Sequence, residues 1–477
     1  MRLKLIAAHW PMTIAALLGA GAVQASTYVA DPNASSGPSY YLNLIDRLEP
    51  GDTLMLPAGT YRERLNLTGL QGTASAWITV TGPASGAPAV ITTESNCCNN
   101  VQLGDTWFVA IRNLTIDANS DTLNASIDGI NAKGGITHDI LIENCIITGV
   151  SFGQQTVGVS TKSMAWNWVL KGNTIHEAGT GMYLGNSDGS APFIGGIIDG
   201  NLFVDSIGYN LQIKYQNPYT APSGLPVSAN RTLVRNNVFL KRRPQSSWPS
   251  EKLNGPRPSL LIGGFPNVGA GSADMYEIYG NFFFGNHDGE ALIQASGRFS
   301  IHDNIFVDGS WASILVRNHD LPVRLAHIYN NTIYGGSLGI RVSNVAQIDS
   351  IVTGNLVFSG TPISGSISTE SDNIVDTADN ANKYVKNPST ILGSMDFYPL
   401  PDTSTGPRLD MSSFTTQAGY AVDFNGRPKG DFTFRGAYAG DTENPGWQLD
   451  AAHKEKRDLL PSEDAVPPNP PQSLTAR

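Results

Sequence analysis

Charged residues are scarce in this chain of 477 residues, at 15% of the sequence, against about 25% in an average globular domain. Long helical bundles and coiled coils depend on charged, straight-chain helix formers, so this scarcity argues against both. Cysteine is scarcer still, with three residues in the whole chain. A small scaffold held together by disulfides would need many more.

Other residue types are abundant. Hydrophobic residues make up 40% of the sequence, which is too many for a disordered chain. The sequence also holds 50 Gly and 29 Pro, without the three-residue period of collagen. Such a chain turns often and still buries a large core, which indicates a turn-rich β protein.

No apolar run reaches the roughly 18 residues that suggest a membrane span. The run from Met12 to Val23 follows the basic residues Arg2 and Lys4 and ends in the small-residue site Val23-Gln24-Ala25. This pattern is typical of a secretory signal peptide. We therefore interpret residues 1–25 as a signal peptide and expect a secreted or periplasmic protein.

Basic residues are fewer than acidic ones, 31 against 41, for a net charge of −10. Without Arg2 and Lys4 the remaining chain has 29 basic residues and a net charge of −12. This balance disfavours a nucleic-acid partner. An anionic substrate would have to be bound by a local basic patch.

The three cysteines, Cys97, Cys98 and Cys145, lack the CxxC spacing of metal sites. Two interpretations remain open. One of the adjacent pair forms a disulfide with Cys145 across neighbouring layers of the fold, or the thiols stay free and buried.

A short pattern recurs along the chain, in which an Asn stands between two runs of Ile, Val, Leu and Phe. The intervals between these Asn residues range from 23 to 44 residues. Short β-branched runs of this kind are typical of strands, and a repeat of this length indicates stacked coils. We expect each Asn to lie at a bend and to bond the next coil. The nine positions are Asn113, Asn144, Asn173, Asn201, Asn237, Asn281, Asn304, Asn331 and Asn355.

The repeat also predicts that the chain folds as one solenoid with caps. We expect the protein to be a monomer. After the signal peptide, residues 26–395 are expected to form the solenoid, with an amphipathic capping helix within Ser39 to Leu48. Residues 396–449 break the repeat and are expected to form a C-terminal cap. Residues 450–477 are charged and then proline-rich, which predicts a disordered tail.

Several segments resemble the pectate-lyase-like superfamily, namely PGDTLMLPAGTY, WITVTGP, the Asn-centred coils and the closing DFNGRPKGDFTFRGAY. The resemblance covers nearly all of the mature chain. It implies an all-β fold, a single-stranded right-handed parallel β-helix. Members of the superfamily include polysaccharide lyases, glycoside hydrolases, uronate epimerases and non-catalytic surface proteins, so the fold does not decide the activity.

Alternation along the strands predicts which side chains face outward on one sheet. Counting thirteen residues from three of the Asn residues aligns Lys214, Gln294 and Arg317. Gln212 and, one coil earlier, Tyr183 are expected to face outward beside them. We interpret this column as the floor of a substrate groove.

The longest interval between Asn residues carries a basic insertion. From Lys241 to Arg257 the chain holds five basic residues and one acid, Glu251. Arg forks bind carboxylates and aromatic rings stack on sugars. We therefore expect Arg242, Arg243 and Trp248 to contact an acidic polysaccharide.

A polysaccharide lyase must neutralise a uronate carboxylate, remove the C5 proton and protonate the departing O4. We predict Lys214 as the base, Arg317 as the group that neutralises the carboxylate, and Tyr183 or Tyr209 as proton donors. His287 in NHDGEALIQ is a further acid or base. A second NHD, at 318–320, offers His319 for the same role.

Ca²⁺ prefers oxygen ligands, and the side chains of Asn186, Asp188 and Glu290 are candidates for binding it. Glu290 is also a candidate for substrate binding. Calcium is the one cofactor that this sequence leads us to consider.

Three functions remain open. The leading one is β-elimination of an acidic polysaccharide. The others are glycan binding without catalysis, and hydrolysis or uronate epimerisation. Signatures of polygalacturonases (NTD, DD, GHG, RIK) and of alginate epimerases (DPHD) are absent from the sequence.

Overall fold

The computed structural model describes residues 25–97, 99–226, 229–343, 345, 348–440 and 443–454. The predicted signal peptide lies outside these residues except for Ala25. Within the described ranges, no helix is both long enough and apolar enough to cross a membrane.

Three long parallel sheets form the body of the molecule, with 15, 12 and 11 strands. Each coil passes through all three, as Ile197–Asp199, Leu202–Val204 and Leu211–Ile213 illustrate. We name them sheet 1, sheet 2 and sheet 3 in this order. Each strand pairs in register with the matching strand of the next coil, for example Ile198 with Val234. The predicted right-handed parallel β-helix is confirmed.

The strands are as follows. Sheet 1 contains Thr27–Val29, Thr53–Met55, Ile78–Thr81, Thr106–Arg112, Thr137–Glu143, Ala165–Trp166, Val169–Lys171, Phe193–Ile194, Ile197–Asp199, Arg231–Arg235, Met275–Tyr279, Arg298–His302, Leu325–Tyr329, Asp349–Thr353 and Thr369–Ser371. Sheet 2 contains Gly59–Tyr61, Ala89–Ile91, Leu114–Asp117, Ile146–Thr148, Thr174–His176, Leu202–Val204, Val238–Leu240, Phe282–Asn286, Ile305–Gly309, Thr332–Tyr334, Leu356–Phe358 and Ile374–Asp376. Sheet 3 contains Leu65–Asn66, Val101–Leu103, Ile130–Ala132, Val157–Thr161, Thr180–Leu184, Leu211–Ile213, Leu260–Ile262, Ile293–Ala295, Ala312–Val316, Leu338–Val342 and Thr361–Gly365.

Few elements lie outside these sheets. One antiparallel pair joins Val385–Asn387 to Asp396–Pro399. The α-helices are Tyr41–Ile45, Ser120–Leu123 and Pro401–Ser404, and the 3-10 helices are Gln245–Ser247, Ser250–Lys252, Ala378–Lys383 and Ser412–Phe414.

An asparagine ladder joins the coils at the bend between sheets 1 and 2. The Asn201 amide donates to Asn237 Oδ1 at 2.9 Å, and Asn237 donates to Asn281 in the same way at 2.9 Å. The ladder runs from Asn173 to Asn373. Because these amides are buried, each bond satisfies groups that would otherwise be costly to bury.

The first two predicted members of the ladder are placed one residue away from it. Cys145 occupies the ladder position, where its backbone N–H donates to Asn173 Oδ1 at 2.9 Å. Asn113 and Asn144 instead adopt a left-handed φ of 54°, as Gly172 does at 66°. Asn tolerates this conformation better than other non-glycine residues, which explains why a pattern based on Asn alone mixed two positions.

The interior is filled by matching side chains in successive coils. Phe203, Phe239, Phe283 and Phe306 stack in one column, with ring centroids 4.8, 4.5 and 4.9 Å apart. Cys145 is a free and buried thiol, so the predicted disulfide to Cys145 is not formed. Cys97 is disulfide-bonded, so the alternative of free thiols throughout is wrong as well. Burial raises the pKa of the Cys145 thiol to about 12.

The ends of the chain differ in part from the expectation. The helix Tyr41–Ile45 lies within the predicted segment and buries Tyr41, Leu44 and Ile45, although it has only five residues. At the other end, residues 450–452 of the predicted disordered tail are exposed, but the next two, His453 and Lys454, contact the coils. Lys454 is buried and donates to the carbonyls of Gly280 and Phe424. The remainder of that tail, 455–477, lies outside the described residues, and the domain boundaries stay predictions.

Candidate functional site

The outer face of sheet 3 carries two parallel rows of side chains at the predicted groove. Gln212 pairs through Leu261 with Gln294, which pairs with Leu315. Lys214 and Arg317 follow in the next outward row. The prediction that Gln294 aligns with Lys214 was therefore wrong by two residues, because the turns between sheets 2 and 3 differ in length from coil to coil.

Lys214 and Arg317 are separated by three strand spacings, about 14 Å at 4.8 Å per strand. The two intervening coils place Gly263 and Ser296 in their row, as the backbone bonds to Ile213 and Ile262 indicate. Arg317 is therefore not a direct neighbour of Lys214 on the sheet.

A short segment after Arg317 crosses this gap. Ser296 Oγ donates to the Leu321 carbonyl at 2.6 Å, and Leu321 lies over Gly264. A Cβ atom on Gly264 would lie 2.5 Å from Leu321 Cβ, so only glycine leaves room for this approach. The segment thereby returns towards the coil of Lys214.

The crossing brings Asp320 to Lys214. Lys214 Nζ lies 3.5 Å from Asp320 Oδ2, and His319 Nε2 lies 3.4 Å from the same oxygen. The Lys214 side chain is 11% exposed and its ammonium lies 4.8 Å from the centre of the Tyr215 ring. Among the two NHD segments, the second one thus reaches the predicted catalytic lysine.

Burial lowers the pKa of His319, and the nearby cations Lys214 and Arg317 lower it further, while Asp320 opposes them. The imidazole is therefore neutral at pH 7, with a ring nitrogen able to accept a proton.

Two tyrosines stand beside this group. Burial raises the pKa of Tyr183 to about 12, and Tyr209 and Asp320 add to the effect. Burial also raises the pKa of Tyr209, with Glu290 acting in the same direction and Arg257 in the opposite one. Both phenols keep their protons at neutral pH, so each is able to donate one.

Tyr209 lies near charges from two segments, the basic insertion and the segment that carries Arg317 and Asp320. The Arg257 guanidinium lies 5.8 Å from the centre of its ring, and the charges of Asp320 and Arg317 also act on its hydroxyl. Beneath, Gln212 and Gln294 are only 4% and 2% exposed. Their Oε1 atoms have no hydrogen-bond partner among the described residues, so the floor retains unused polar capacity.

The basic insertion is mostly paired with acids of the coils. Arg242 contacts Asp205 at 2.6 Å, and Lys252 contacts Asp121 at 2.6 Å. Lys241 is buried and donates to the Arg257 carbonyl at 2.7 Å, and burial lowers its pKa to about 8.

Arg243 and Trp248 lie together in the same insertion. Arg243 contacts Glu177 at 2.6 Å, and its guanidinium lies 3.9 Å from the centre of the Trp248 ring. The insertion therefore presents less free positive charge than its sequence indicated. Contact of Arg242, Arg243 and Trp248 with substrate stays a prediction.

His287 lies away from Lys214, at the turn between sheets 2 and 3. Its Nε2 is 3.6 Å from Asp308 Oδ2. Glu290 precedes the sheet 3 strand of its coil, and its Oε2 is buried without a hydrogen-bond partner among the described residues. The role of His287 as acid or base stays a prediction.

The weak metal candidates are not brought together. Asn186 Nδ2 donates to Asp188 Oδ1 at 3.0 Å in an exposed turn, three coils from Glu290 and past the opposite end of the strands. Within the described part of the chain, no group of three or more His, Cys, Asp or Glu side chains is arranged to hold a metal ion.

Sequence reasoning did not assign a role to Asp320, Arg257 or Tyr215. The Gly263-Gly264 pair directly after a strand was the available signal, because glycine there often marks a close approach of another backbone.

Comparisons with known proteins concern the fold. No protein-family model matches the chain, and no curated protein sequence matches it. An alginate lyase from Paenibacillus sp. str. FPU-7 is similar in structure, at 15% identity and a TM-score of 0.38, over 73% of this chain and 95% of that one. Pectate lyase Pel9A is similar at 13% identity and a TM-score of 0.43, over 90% of this chain and 96% of that one. The A-module of mannuronan C-5 epimerase AlgE4 from Azotobacter vinelandii is similar at 14% identity and a TM-score of 0.43, over 68% of this chain and 91% of that one.

The class that these features define is a right-handed parallel β-helix protein with polar and cationic side chains on the outer face of sheet 3. The three parallel sheets confirm the fold that the resemblance to pectate-lyase-like proteins implied.

Proposed function

We propose that this protein is an exported polysaccharide lyase that cleaves an acidic, uronate-containing polysaccharide by β-elimination on the outer face of sheet 3. One observation carries the proposal. The positive charges of Lys214 and Arg317 act on the neutral His319, and Arg257 lies over the Tyr209 ring on the same face, although the chain without residues 1–25 has a net charge of −12. A polyanion would find its complement there.

The contacts favour a particular division of roles. Lys214 Nζ is held 3.5 Å from the Asp320 carboxylate on the outer face of sheet 3, and we assign it to binding of a uronate carboxylate and not to removal of a proton. Arg317 assists from the other end of the groove. The neutral His319 is then the better base, in place of the Lys214 base expected from the sequence.

The reaction balances with these groups. His319 accepts the C5 proton, the released electron pair forms the C4–C5 double bond, and the C4–O4 bond breaks. Tyr209 or Tyr183 donates its proton to the departing oxygen. Positive side chains stabilise the charge that develops on the carboxylate.

The test uses the mature protein from Ser26 onward with a panel of alginate, pectate and glycosaminoglycans, each with and without Ca²⁺. The product of a lyase absorbs ultraviolet light, because its new C4–C5 double bond is conjugated with the uronate carboxylate. We expect absorbance to rise with at least one polymer. Reducing ends without absorbance would indicate a hydrolase, and binding without any product would indicate a glycan-binding protein; either result contradicts the proposal.

A further inference from the structure

A second pocket lies on a different face of the molecule. It has a volume of about 490 Å³ and lies in the C-terminal segment beside sheet 1. Its side walls and rim contain Arg408, Asp410, Ser412, Thr415, Tyr420 and Phe432. None of these residues belongs to the groove on sheet 3.

The floor of this pocket is apolar and firmly held. Leu409 is 3% exposed and Met411 is 7% exposed, and both pack with Phe414 and Tyr329. The rings of Phe414 and Tyr329 stack at 4.1 Å between centroids. Because Tyr329 belongs to a strand of sheet 1, the floor is anchored to the β-helix and does not depend on a loop alone.

Two aromatic rings form the walls. Tyr420 and Phe432 are parallel within 7°, with centroids 6.3 Å apart, and both are half-buried. Phe432 adopts a φ of 57°, which is uncommon for a bulky residue. The Phe432 N–H donates to the Lys429 carbonyl and its own carbonyl accepts from Leu409. These bonds hold the ring at the pocket.

The rim is polar and carries both charges. Arg408 is exposed and has no ion-pair partner among the described residues. Asp410 accepts a hydrogen bond from the Ser412 backbone at 3.0 Å, which leaves carboxylate capacity for a ligand. The Thr415 hydroxyl donates to the Ser412 carbonyl at 3.4 Å, and the hydroxyl oxygens of Ser412 and Thr415 are able to accept hydrogen bonds from a ligand.

This combination matches the chemistry of a pyranose ring. The C–H face of a sugar packs on an aromatic ring, while its hydroxyl groups bond to guanidinium, carboxylate and hydroxyl groups around it. We propose that the pocket is a second, non-catalytic glycan site that binds one pyranose unit of a polysaccharide. The proposal rests on the proposed function only for the expectation that the same polymer occupies both sites.

A second glycan site would make the affinity of the protein depend on the length of the polysaccharide. A polymer bound at the C-terminal pocket raises the effective concentration of its other segments at the groove. A short oligosaccharide occupies one site at a time and gains nothing.

The experiment measures binding separately from turnover. Wild type, Tyr420→Ala, Arg408→Ala and Ser412→Trp are run on native gels that contain alginate, pectate or a neutral glucan, and retardation gives the affinity. Arg408 and Ser412 are exposed, so these two variants test the pocket even where Tyr420→Ala affects folding. Tyr28→Ala is the matched control, since Tyr28 is also half-buried and lies 4.7 Å from the Arg47 guanidinium at the other end of the chain.

We expect at least a tenfold loss of affinity for one polymer in the pocket variants, and none in Tyr28→Ala. Turnover of a short oligosaccharide should stay within twofold of wild type. The inference is overturned if no polymer retards the protein, or if the pocket variants bind like wild type. Absence of turnover in every protein would contradict the proposed function alone, because retardation still reports on the pocket.

Discussion

The Lys214 ammonium and the Asp320 carboxylate lie 3.5 Å apart, although they belong to coils separated by two others. The contact exists because the segment after Arg317 folds back over Gly264, where Leu321 approaches the backbone. It joins Lys214 to a carboxylate and, through it, to His319.

Replacement of Lys214 by Ala should lower kcat/KM on an acidic polysaccharide by about 100-fold or more, the usual effect of losing one charge-stabilising group. Thermal unfolding should change little, because the side chain lies on the outer face. Lys171→Ala is the control, since Lys171 also pairs with a carboxylate, Glu143, but on sheet 1. Equal losses in both variants would contradict a role for Lys214 in the groove.

Gly264→Ala should displace the segment that carries Asp320, because the new Cβ would lie 2.5 Å from Leu321 Cβ. We expect a loss of turnover of about tenfold with the β-sheet circular dichroism preserved. Gly153→Ala serves as control, since its nearest atom would be 3.9 Å away. Unchanged turnover in Gly264→Ala would indicate that the position of Asp320 does not matter.

The pH profile of kcat/KM tests His319 as the base. Its pKa lies below the ordinary 6.5, and the protonated ring accepts no proton, so activity should fall as pH decreases through that lowered value. Asp320 raises this pKa; hence Asp320→Asn should move the acid limb to lower pH. An acid limb that moves to higher pH in Asp320→Asn would contradict the assignment of His319 as the base. So would a profile without an acid limb, in which kcat/KM changes only at alkaline pH.

Asn281→Leu should destabilise the β-helix strongly. Its side chain accepts from Asn237 and donates to Asn304 and to the Val234 carbonyl. Each buried group left without a partner costs about 1–3 kcal/mol, so we expect a loss of about 3 kcal/mol in the free energy of unfolding, measured in denaturant. Asn43→Leu is the control, since the exposed Asn43 donates to the Gly37 carbonyl. This variant should lose less than about 1 kcal/mol in the free energy of unfolding.

A buried ion pair attaches the C-terminal segment to the coils. Lys429 Nζ lies 2.7 Å from Asp303 Oδ2, and the two side chains are 3% and 2% exposed. Lys429→Met leaves the buried Asp303 carboxylate without its cation, with the His302 ring as its remaining side-chain partner, and should cost about 3–5 kcal/mol.

The double variant Lys429→Met with Asp303→Asn should lose less than the sum of the two single variants, because the unpaired charge is gone. Asn is chosen because position 303 has a φ of 53°. The exposed pair of Arg62 and Glu94 gives the reference, for which Arg62→Met should cost under about 1 kcal/mol. Additive losses at 429 and 303 would contradict the coupling.

Much of the fold could be predicted from short-range patterns. The recurring Asn between β-branched runs indicated stacked coils, and seven of the nine predicted positions lie in the buried ladder. Asn113 and Asn144 were misassigned because Asn satisfies two needs, a buried amide and a left-handed bend. Lys214 and Arg317 do lie in one row of sheet 3, as predicted, but Gln294 was placed in the wrong row because turns of unequal length shift the count.

What the amino-acid sequence determined by itself is the architecture, since strand propensity and repeat length act within one coil and its neighbours. The tertiary structure decided which side chains meet. Asp320 reaches Lys214 only because a segment folds back over Gly264, two coils away. Arg243, Arg242 and Lys252 of the basic insertion are paired with Glu177, Asp205 and Asp121 of other coils. Such contacts depend on the path of loops through space, which no local pattern in the sequence encodes.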